Sequence, residues 1–352
     1  MTTDTSAPRP ATPNASVMTA PLPSLPQLHG IDRARFEAEV LPGDTPVILR
    51  GVARDWPAVA QGRESPRALV RYLSALDNGR PVGALMTPPD VGGRIFFDAT
   101  MTGFNYSQTQ APVSQLLEQM LHNAQLERAP AVAIQSAVIA QCLPGFKRDQ
   151  ALPLLDDDVE PRAWIGNALI TPAHFDESHN IAVSVAGRRR FTVFPPEQVA
   201  NLYIGPIDHA PAGRPISVVD FAHPDFDRFP LFRDALAHAQ VADLEPGDAI
   251  YMPPLWWHHV QSLERVNMLV NYWWGHPPSP GLSTLIYATA ALRGLPLAQR
   301  QAWRQLFEHY VFDAGRDVAS HIPAERRSLL GPMSPEEQAQ MHKLLSDRLA
   351  RG

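Results

Sequence analysis

The stretch from residue 164 to residue 274 constrains the fold most, because it is a succession of short apolar segments ended by glycine or proline. Residues 181–185 and 190–194 flank a turn at Gly187, and prolines follow the second segment, which predicts a β-hairpin. Residues 248–252 and 267–273 continue the series. Many short strands with proline-rich turns and long connections are typical of a double-sheet jelly roll.

The rest of the chain divides by composition. Residues 1–25 are mostly Pro, Thr, Ser and Ala, which bury too little apolar surface to offset ordering entropy, so we predict a disordered tail. Residues 26–160 predict α/β elements, residues 161–277 the jelly-roll core, and residues 278–352 a helical region. The predicted fold class is mainly β with flanking α: a double-stranded β-helix with N-terminal α/β elements and a C-terminal helical extension.

Local signals define several elements outside the core. Asp32 and Ser65 are predicted helix N-caps, and residues 113–124 form a predicted helix with one apolar face. Residues 94–97 and 131–139 are predicted strands, and residues 201–246 are a long connection of the kind that is usually functional. A capping box at Ser334 opens a last amphipathic helix that carries Met341 and Leu349.

Charge and cysteine content exclude some classes of protein. The 352 residues carry a net charge of −6 without a long basic run, which argues against nucleic acid as the main partner. Cys142 is the single cysteine, so the chain holds no internal disulfide or cysteine-based zinc site, and we interpret Cys142 as a small buried side chain. No apolar run reaches the roughly 20 residues of a membrane span. The opening segment lacks the features of a secretory signal, which predicts a cytoplasmic protein.

Two histidines and an aspartate form the strongest candidate site. His174 and Asp176 are one residue apart in a predicted strand, so both face the same side, and His258 follows Trp256 and Trp257 on a later strand. Two imidazoles and one carboxylate that leave coordination positions open are the ligands of non-haem Fe(II) oxygenases. A histidine at a strand end can also simply hydrogen-bond a carbonyl group, so the spacing alone leaves the role open.

Several motifs in order resemble the JmjC/cupin-like 2-oxoglutarate oxygenases, and within them the asparaginyl hydroxylase that inhibits hypoxia-inducible factor. The resemblance covers residues 31–274 and is carried by Thr171-Pro-Ala-His174-Phe-Asp176-Glu-x-x-Asn180, Gly187-Arg-Arg-Arg-Phe-x-x-Phe194, Asp220-Phe-x-x-Pro224, Gly247-Asp-x-x-Tyr251-x-Pro-x-x-Trp256-Trp-His258-His and Asn271-Tyr-Trp273. It implies that His174, Asp176 and His258 hold Fe(II), with 2-oxoglutarate as the cosubstrate. His259 is then the neighbour that faces away.

The resemblance also implies a cosubstrate site. Thr171 and Arg189 match the hydroxyl and the cation that bind the distal carboxylate, although the family most often has lysine at the position of Arg189. Asn180 and Asn271 match amides that contact the cosubstrate or organise the iron ligands. Trp164 and Trp273 either pack on the cosubstrate or are core aromatics. The family tyrosine on the preceding strand has no counterpart in residues 131–139.

The predicted activity is therefore an Fe(II)- and 2-oxoglutarate-dependent oxygenase that hydroxylates a protein or peptide side chain, bound near residues 201–246. N-methyl demethylation by the same chemistry is one alternative. A non-catalytic jelly-roll module that binds a metal or small molecule, and a cupin enzyme that does not use 2-oxoglutarate, are the others. The C-terminal helices are expected to form a homodimer interface, as they do in the family.

Overall fold

A computed structural model describes residues 21–275, 281–313, 315 and 317–349. The chain divides into two compact units, Met1–Pro280 and Gly281–Gly352. Residues 1–20 of the predicted tail lie outside the described residues. Leu25, which the tail prediction included, is buried, and its backbone N–H donates to Val241 O over 2.8 Å. The packed residues of the first unit therefore include Leu25, which the predicted tail contained.

The described residues form thirteen strands, all in the first unit. They are β1 (Gln27–His29), β2 (Val47–Arg50), β3 (Val82–Thr87), β4 (Ser107–Ala111), β5 (Ala131–Val138), β6 (Pro161–Gly166), β7 (Ile170–His174), β8 (His179–Ala186), β9 (Arg189–Phe194), β10 (Gln240–Leu244), β11 (Ala249–Met252), β12 (Trp257–Ser262) and β13 (Asn267–Trp274).

The strands pair into two sheets. The larger sheet has the order β1-β2-β11-β8-β13-β6-β5-β3-β4, and the smaller sheet has the order β10-β9-β12-β7. Consecutive strands alternate between the two sheets from β6 to β9 and again from β10 to β13, while β9 and β10 are neighbours in the smaller sheet; this connectivity is that of a jelly roll. The predicted mainly β fold class is confirmed.

The predicted hairpin between residues 181 and 194 is wrong. β8 pairs with β11 and β13 in the larger sheet, whereas β9 pairs with β10 and β12 in the smaller sheet. Gly187 makes the corner between the sheets with φ of 72°, and a Cβ there would lie 2.2 Å from Asn267 Oδ1. A tight glycine turn looks the same in sequence whether the chain folds back or crosses over. The tertiary pairing decides between them.

Ten α-helices accompany the strands in the described residues. They are α1 (Arg33–Arg35), α2 (Pro57–Glu64), α3 (Pro66–Leu76), α4 (Val113–Asn123), α5 (Ile139–Cys142), α6 (Phe146–Asp149), α7 (Phe232–Ala237), α8 (Gly281–Leu292), α9 (Leu297–Phe307) and α10 (Pro335–Leu349). Asp32 and Ser65 cap α1 and α3 as predicted. No helix in the described part of the chain has the length and apolar character to cross a bilayer.

Strand alternation divides the core of the first unit into two layers. On β13, Val270 packs with Leu69, Leu73 and Leu117 of α3 and α4, and Cys142 is buried in the same cluster. Leu269 faces the opposite way and packs with Phe191 of β9 in a cluster between the two sheets. The larger sheet is therefore covered by helices on one face and by the smaller sheet on the other.

Two connections contain secondary structure that differs from the prediction. The predicted strand at residues 94–97 is reduced to isolated bridges, Arg94 with Ile170 and Phe97 with Phe104. The long connection at residues 201–246 contains α7 and β10, so it contributes the edge strand of the smaller sheet.

The second unit is helical where it is described. Ser334 and Glu337 form the predicted capping box: Ser334 N donates to Glu337 Oε2 over 2.8 Å, and Glu337 N donates to Ser334 Oγ over 3.2 Å. Large apolar side chains of this unit are exposed, among them Leu285, Tyr287 and Phe312.

Candidate active site

A cavity of about 690 Å³ opens beside the layer between the two sheets. The smaller sheet contributes Thr171, His174 and Arg189, and the larger sheet contributes Asn271 and Trp273. Asp176 lines the cavity from the segment that joins β7 to β8. The cavity volume lies in the usual range for small-molecule sites.

His174 and His258 are directly opposite each other on the antiparallel strands β7 and β12, and their ring centroids are 4.2 Å apart. Each Nδ1 lies next to a backbone carbonyl oxygen: His174 Nδ1 is 2.9 Å from Pro172 O, and His258 Nδ1 is 3.0 Å from Trp256 O. A carbonyl oxygen can only accept, so each Nδ1 carries the proton and donates it. Both Nε2 atoms are then lone-pair donors, which is the tautomer that metal-binding histidines need.

Asp176 was predicted to lie within a strand, but β7 ends at His174, so Asp176 lies just beyond the end of that strand. Its Oδ2 is 3.9 Å from His258 Nε2 and accepts hydrogen bonds from Trp273 Nε1 at 3.0 Å and from Asn180 Nδ2 at 3.3 Å. These two donors fix the carboxylate towards the histidines.

The donor atoms are of the types that bind a divalent metal, but they lie farther apart than the ligand atoms of an occupied metal site. No three His, Cys, Asp or Glu side chains among the described residues are already grouped as a metal site. Two ligands at right angles on one ion, with bonds of about 2.1 Å, are about 3 Å apart, compared with 3.9 Å between His258 Nε2 and Asp176 Oδ2. The donor types nevertheless suit a divalent metal such as Fe(II), and His174, Asp176 and His258 are the described residues that could hold it.

Burial keeps His258 in the form that binds metal. Its side chain is almost completely buried, and loss of solvent lowers the pKa of His258 to about 4, helped by the neighbouring His174.

His259 points to the other face of β12, where its ring stacks on Phe221 with centroids 4.4 Å apart. The two consecutive histidines are thus separated as strand alternation requires.

Asn180 and Asn271 form a chain of amides next to Asp176. Asn271 Nδ2 donates to Asn180 Oδ1 over 2.8 Å, and Asn180 in turn donates to Asp176. Both side chains are buried, and Asn271 Oδ1 has no hydrogen-bond partner among the described residues. Since a buried polar atom without a partner is costly, Asn271 Oδ1 is a position for a donor on a bound group.

Arg189 is the buried cation of the cavity. It is 7% exposed, burial lowers the pKa of its guanidinium to about 10, and its Nε has no partner among the described residues. The flanking arginines face outward, with Arg188 Nε 2.8 Å from Glu264 Oε1 and Arg190 Nε 2.7 Å from Asp243 Oδ1. Without a carboxylate partner among the described residues, this buried guanidinium is a candidate anion site. Thr171 lines the same cavity, so the expected hydroxyl and cation both reach it.

Trp164 and Trp273 meet edge to face in the cavity wall, with ring centroids 6.1 Å apart. Trp273 also donates its indole N–H to Asp176, so it is more than a core aromatic.

Sequence reasoning missed the residues that the larger sheet adds through β5 and β6. The pairing of β5 with β6 is interrupted between Ile134 and Ala137, and Ser136 there has φ of 49°. This β-bulge turns both Gln135 and Ser136 towards the cavity, on the strand where the family tyrosine has no counterpart. No sequence signal marks the bulge.

Arg162 and Arg214 also line the cavity. Arg162 precedes Trp164 by two residues on β6, so strand alternation could have identified it. Arg214 comes from the long connection and pairs with Glu177, with 2.7 Å between Arg214 Nη1 and Glu177 Oε2.

Comparisons with known proteins agree with this architecture. Residues 33–280 match the family model described as "Cupin-like domain". The chain is 26% identical to Jumonji C domain-containing protein 5 of Drosophila melanogaster over 278 residues, which are 72% of this chain and 64% of that protein. It is 26% identical to lysine-specific demethylase 8 of Xenopus tropicalis over 259 residues, 71% of this chain and 53% of that protein.

Another relative matches a shorter segment with a higher sequence identity. Human HSPB1-associated protein 1 is 37% identical over 116 residues, which are 32% of this chain and 23% of that protein. The chain therefore covers less than two thirds of the length of each of these relatives. Because the family model extends over more than half of the chain, this protein belongs to the cupin-like domain family, whose relatives here include JmjC domain proteins.

Proposed function

We propose that this protein is an Fe(II)- and 2-oxoglutarate-dependent oxygenase that hydroxylates a protein or peptide side chain. The observation that carries the proposal is the combination of one carboxylate and two imidazoles with free Nε2 atoms in a cavity that also holds a buried, unpaired arginine. A metal site alone would not need Arg189, and an anion site alone would not need the histidines.

Each residue has a defined part in this proposal. His174, Asp176 and His258 hold the metal, and the backbone carbonyls of Pro172 and Trp256 hold the two imidazoles in the binding tautomer. Bound Fe(II) with 2-oxoglutarate supplies oxygen activation that is coupled to decarboxylation of the cosubstrate to succinate.

The other cavity residues bind and orient. Arg189 and Thr171 bind the distal carboxylate of 2-oxoglutarate, where the planar guanidinium offers two parallel N–H donors. Trp273 and Asn180 orient Asp176. Trp164 and Phe191 exclude water from one wall of the cavity, which strengthens these polar interactions.

An anaerobic titration with Fe(II) and 2-oxoglutarate tests the proposal through the visible charge-transfer band of the chelated cosubstrate. We expect the band in the wild type, its loss in His174→Ala and its weakening in Arg189→Ala. Arg188→Ala, which removes an exposed arginine one residue away, is the matched control and should keep the band. Bound iron without a band would contradict the proposal and favour a cupin chemistry that does not use 2-oxoglutarate.

N-methyl demethylation is the second candidate for the same site, since the relative in Xenopus tropicalis carries the name lysine-specific demethylase 8. A non-catalytic binding module is distinguished by turnover: it would give the band but no succinate with any substrate.

We also propose a homodimer formed through the second unit, whose exposed apolar side chains include Leu285, Tyr287 and Tyr310. Exposed aromatic and aliphatic clusters of this kind favour association. Truncation after Pro332 should convert the dimer to a monomer in light scattering, and a truncated protein that stays dimeric would contradict the proposal.

A further inference from the structure

The cavity contains a second cation that the proposed cosubstrate site does not use. Arg162 of β6 lines the cavity, and its Cα pairs across the strands with that of Asn271, whose amide leads through Asn180 to Asp176. Residues paired across antiparallel strands lie about 5 Å apart, so Arg162 is placed beside the candidate metal centre, on the larger sheet. Arg189, the cation of the proposed cosubstrate site, lies on the smaller sheet instead.

The guanidinium of Arg162 has no carboxylate partner within 4.0 Å among the described ion pairs. Its contacts are two long hydrogen bonds from Nη1, to Ser136 O at 3.3 Å and to Ser136 Oγ at 3.4 Å. Nε and Nη2 make no hydrogen bond among the described residues, and the edge that they form matches the two oxygens of a carboxylate. Ser136 is held at a positive φ in the β-bulge, a strained conformation that typically persists where it positions a functional group.

The balance of charge points to a substrate anion. A divalent metal bound to the Asp176 carboxylate has a combined charge of +1, and Arg189 raises the sum to +2. The two negative charges of 2-oxoglutarate neutralise this sum. Arg214 is neutralised by Glu177. Asp158 and Glu160 also line the cavity but are exposed, where their charges are screened, and Glu160 Oε1 is 3.4 Å from Lys147 Nζ. Besides Arg189, Arg162 is then the arginine among the described cavity residues that has no carboxylate ion pair.

One charge favours a carboxylate over a phosphate, which carries −1.5 to −2 at about neutral pH. The cavity of about 690 Å³ has room for roughly twenty waters at about 30 Å³ each, far more than a small dicarboxylate fills. On the basis of the proposed function, we infer that Arg162 is a specificity-determining residue that binds a carboxylate on the substrate. The substrate class is an acidic side chain, oxidised next to the group that Arg162 holds.

The test uses the full chain loaded with Mn(II), which replaces Fe(II) without turnover, and with 2-oxoglutarate. N-acetyl-aspartate amide, N-acetyl-asparagine amide and N-acetyl-lysine amide are titrated in turn, and binding is followed by the fluorescence of Trp164 and Trp273. We expect the aspartyl compound to bind at least about tenfold more tightly than the other two, as for a hydrogen bond to a charged group. Free L-aspartate, compared in the same way, distinguishes a free acid from a residue in a peptide.

Two variants locate the effect. Arg162→Gln should abolish the preference for the aspartyl compound, and Arg162→Lys should keep part of it. Arg188→Gln is the control with the same change of charge outside the cavity. Equal binding of the aspartyl and asparaginyl compounds, or a preference that survives Arg162→Gln, would overturn the inference.

Failure of the inference and failure of the proposed function are distinguishable. A loss of 2-oxoglutarate affinity in Arg162→Gln would assign Arg162 to the cosubstrate and overturn its role towards the substrate. If the wild type binds no 2-oxoglutarate, the proposed function fails, while the aspartyl preference measured with Mn(II) alone still decides the role of Arg162.

Discussion

Replacement of Arg189 by methionine should stabilise the ligand-free protein and remove its response to 2-oxoglutarate. Burial lowers the pKa of Arg189 to about 10 from its usual range, because the folded protein supplies no compensating partner for the charge. Since each tenfold change in a protonation equilibrium is worth about 1.4 kcal/mol, holding this charge in the cavity costs about 3 kcal/mol. Methionine has a similar length and fills the same space without a charge. We therefore expect Arg189→Met to raise the free energy of unfolding by about 1–3 kcal/mol.

The assay is urea unfolding of the wild type and the variant with and without Mn(II) and 2-oxoglutarate. In the wild type, a ligand at one hundred times its Kd should add about 2.7 kcal/mol to the free energy of unfolding. The free energy of unfolding of Arg189→Met should rise only by the amount that Mn(II) alone provides. Arg188→Met, which breaks an exposed ion pair, should leave both quantities nearly unchanged.

The reasoning would be refuted by a variant that is less stable than the wild type without ligand. Such a result would mean that Arg189 has a compensating interaction that its surroundings do not show. An unchanged gain with 2-oxoglutarate would remove Arg189 from the cosubstrate site.

Three further outcomes follow from individual contacts. Gly187→Ala should lower the free energy of unfolding by at least about 1 kcal/mol in a denaturation experiment, because φ is positive and the added Cβ meets Asn267. Burial lowers the pKa of His259 to about 3 in the folded state. As the pH falls below about 6.5, His259 is therefore protonated in the unfolded chain while it stays neutral in the folded protein. Stability should therefore fall by about 2 kcal/mol between pH 7 and pH 5 for this group, and His259→Phe, which keeps the ring stack on Phe221, should show a smaller fall. Ser334→Ala should destabilise the last helix by about 1 kcal/mol, measured by thermal unfolding of the second unit followed by circular dichroism.

Sequence periodicity predicted much of the site because strand alternation is a local property. His258 was separated from His259, since neighbours on a strand face opposite sides, and the same rule accounts for the outward direction of Arg188 and Arg190 beside Arg189. It also predicted that the core is a β architecture. These conclusions need no knowledge of which strands pair.

Long-range pairing was beyond the sequence. Asn180 lies on β8 in the larger sheet, whereas Asp176 follows β7 of the smaller sheet, so their hydrogen bond depends on how the two sheets pack together. Likewise, the bulge at Ser136 depends on how β5 and β6 register, and a serine with positive φ has no compositional signature.

The distribution of the site over two sheets has a consequence for the order of folding. His174 and Asp176 precede β8, whereas His258 belongs to β12, which pairs with β7 and follows four intervening strands in the chain. Contacts between residues far apart in the chain form late and slowly. A growing chain that has been synthesised as far as residue 250 holds two of the three candidate ligands and no completed smaller sheet. If the site holds Fe(II) as proposed, we expect such a chain to bind it weakly, with metal loading only after the barrel has closed around the cavity.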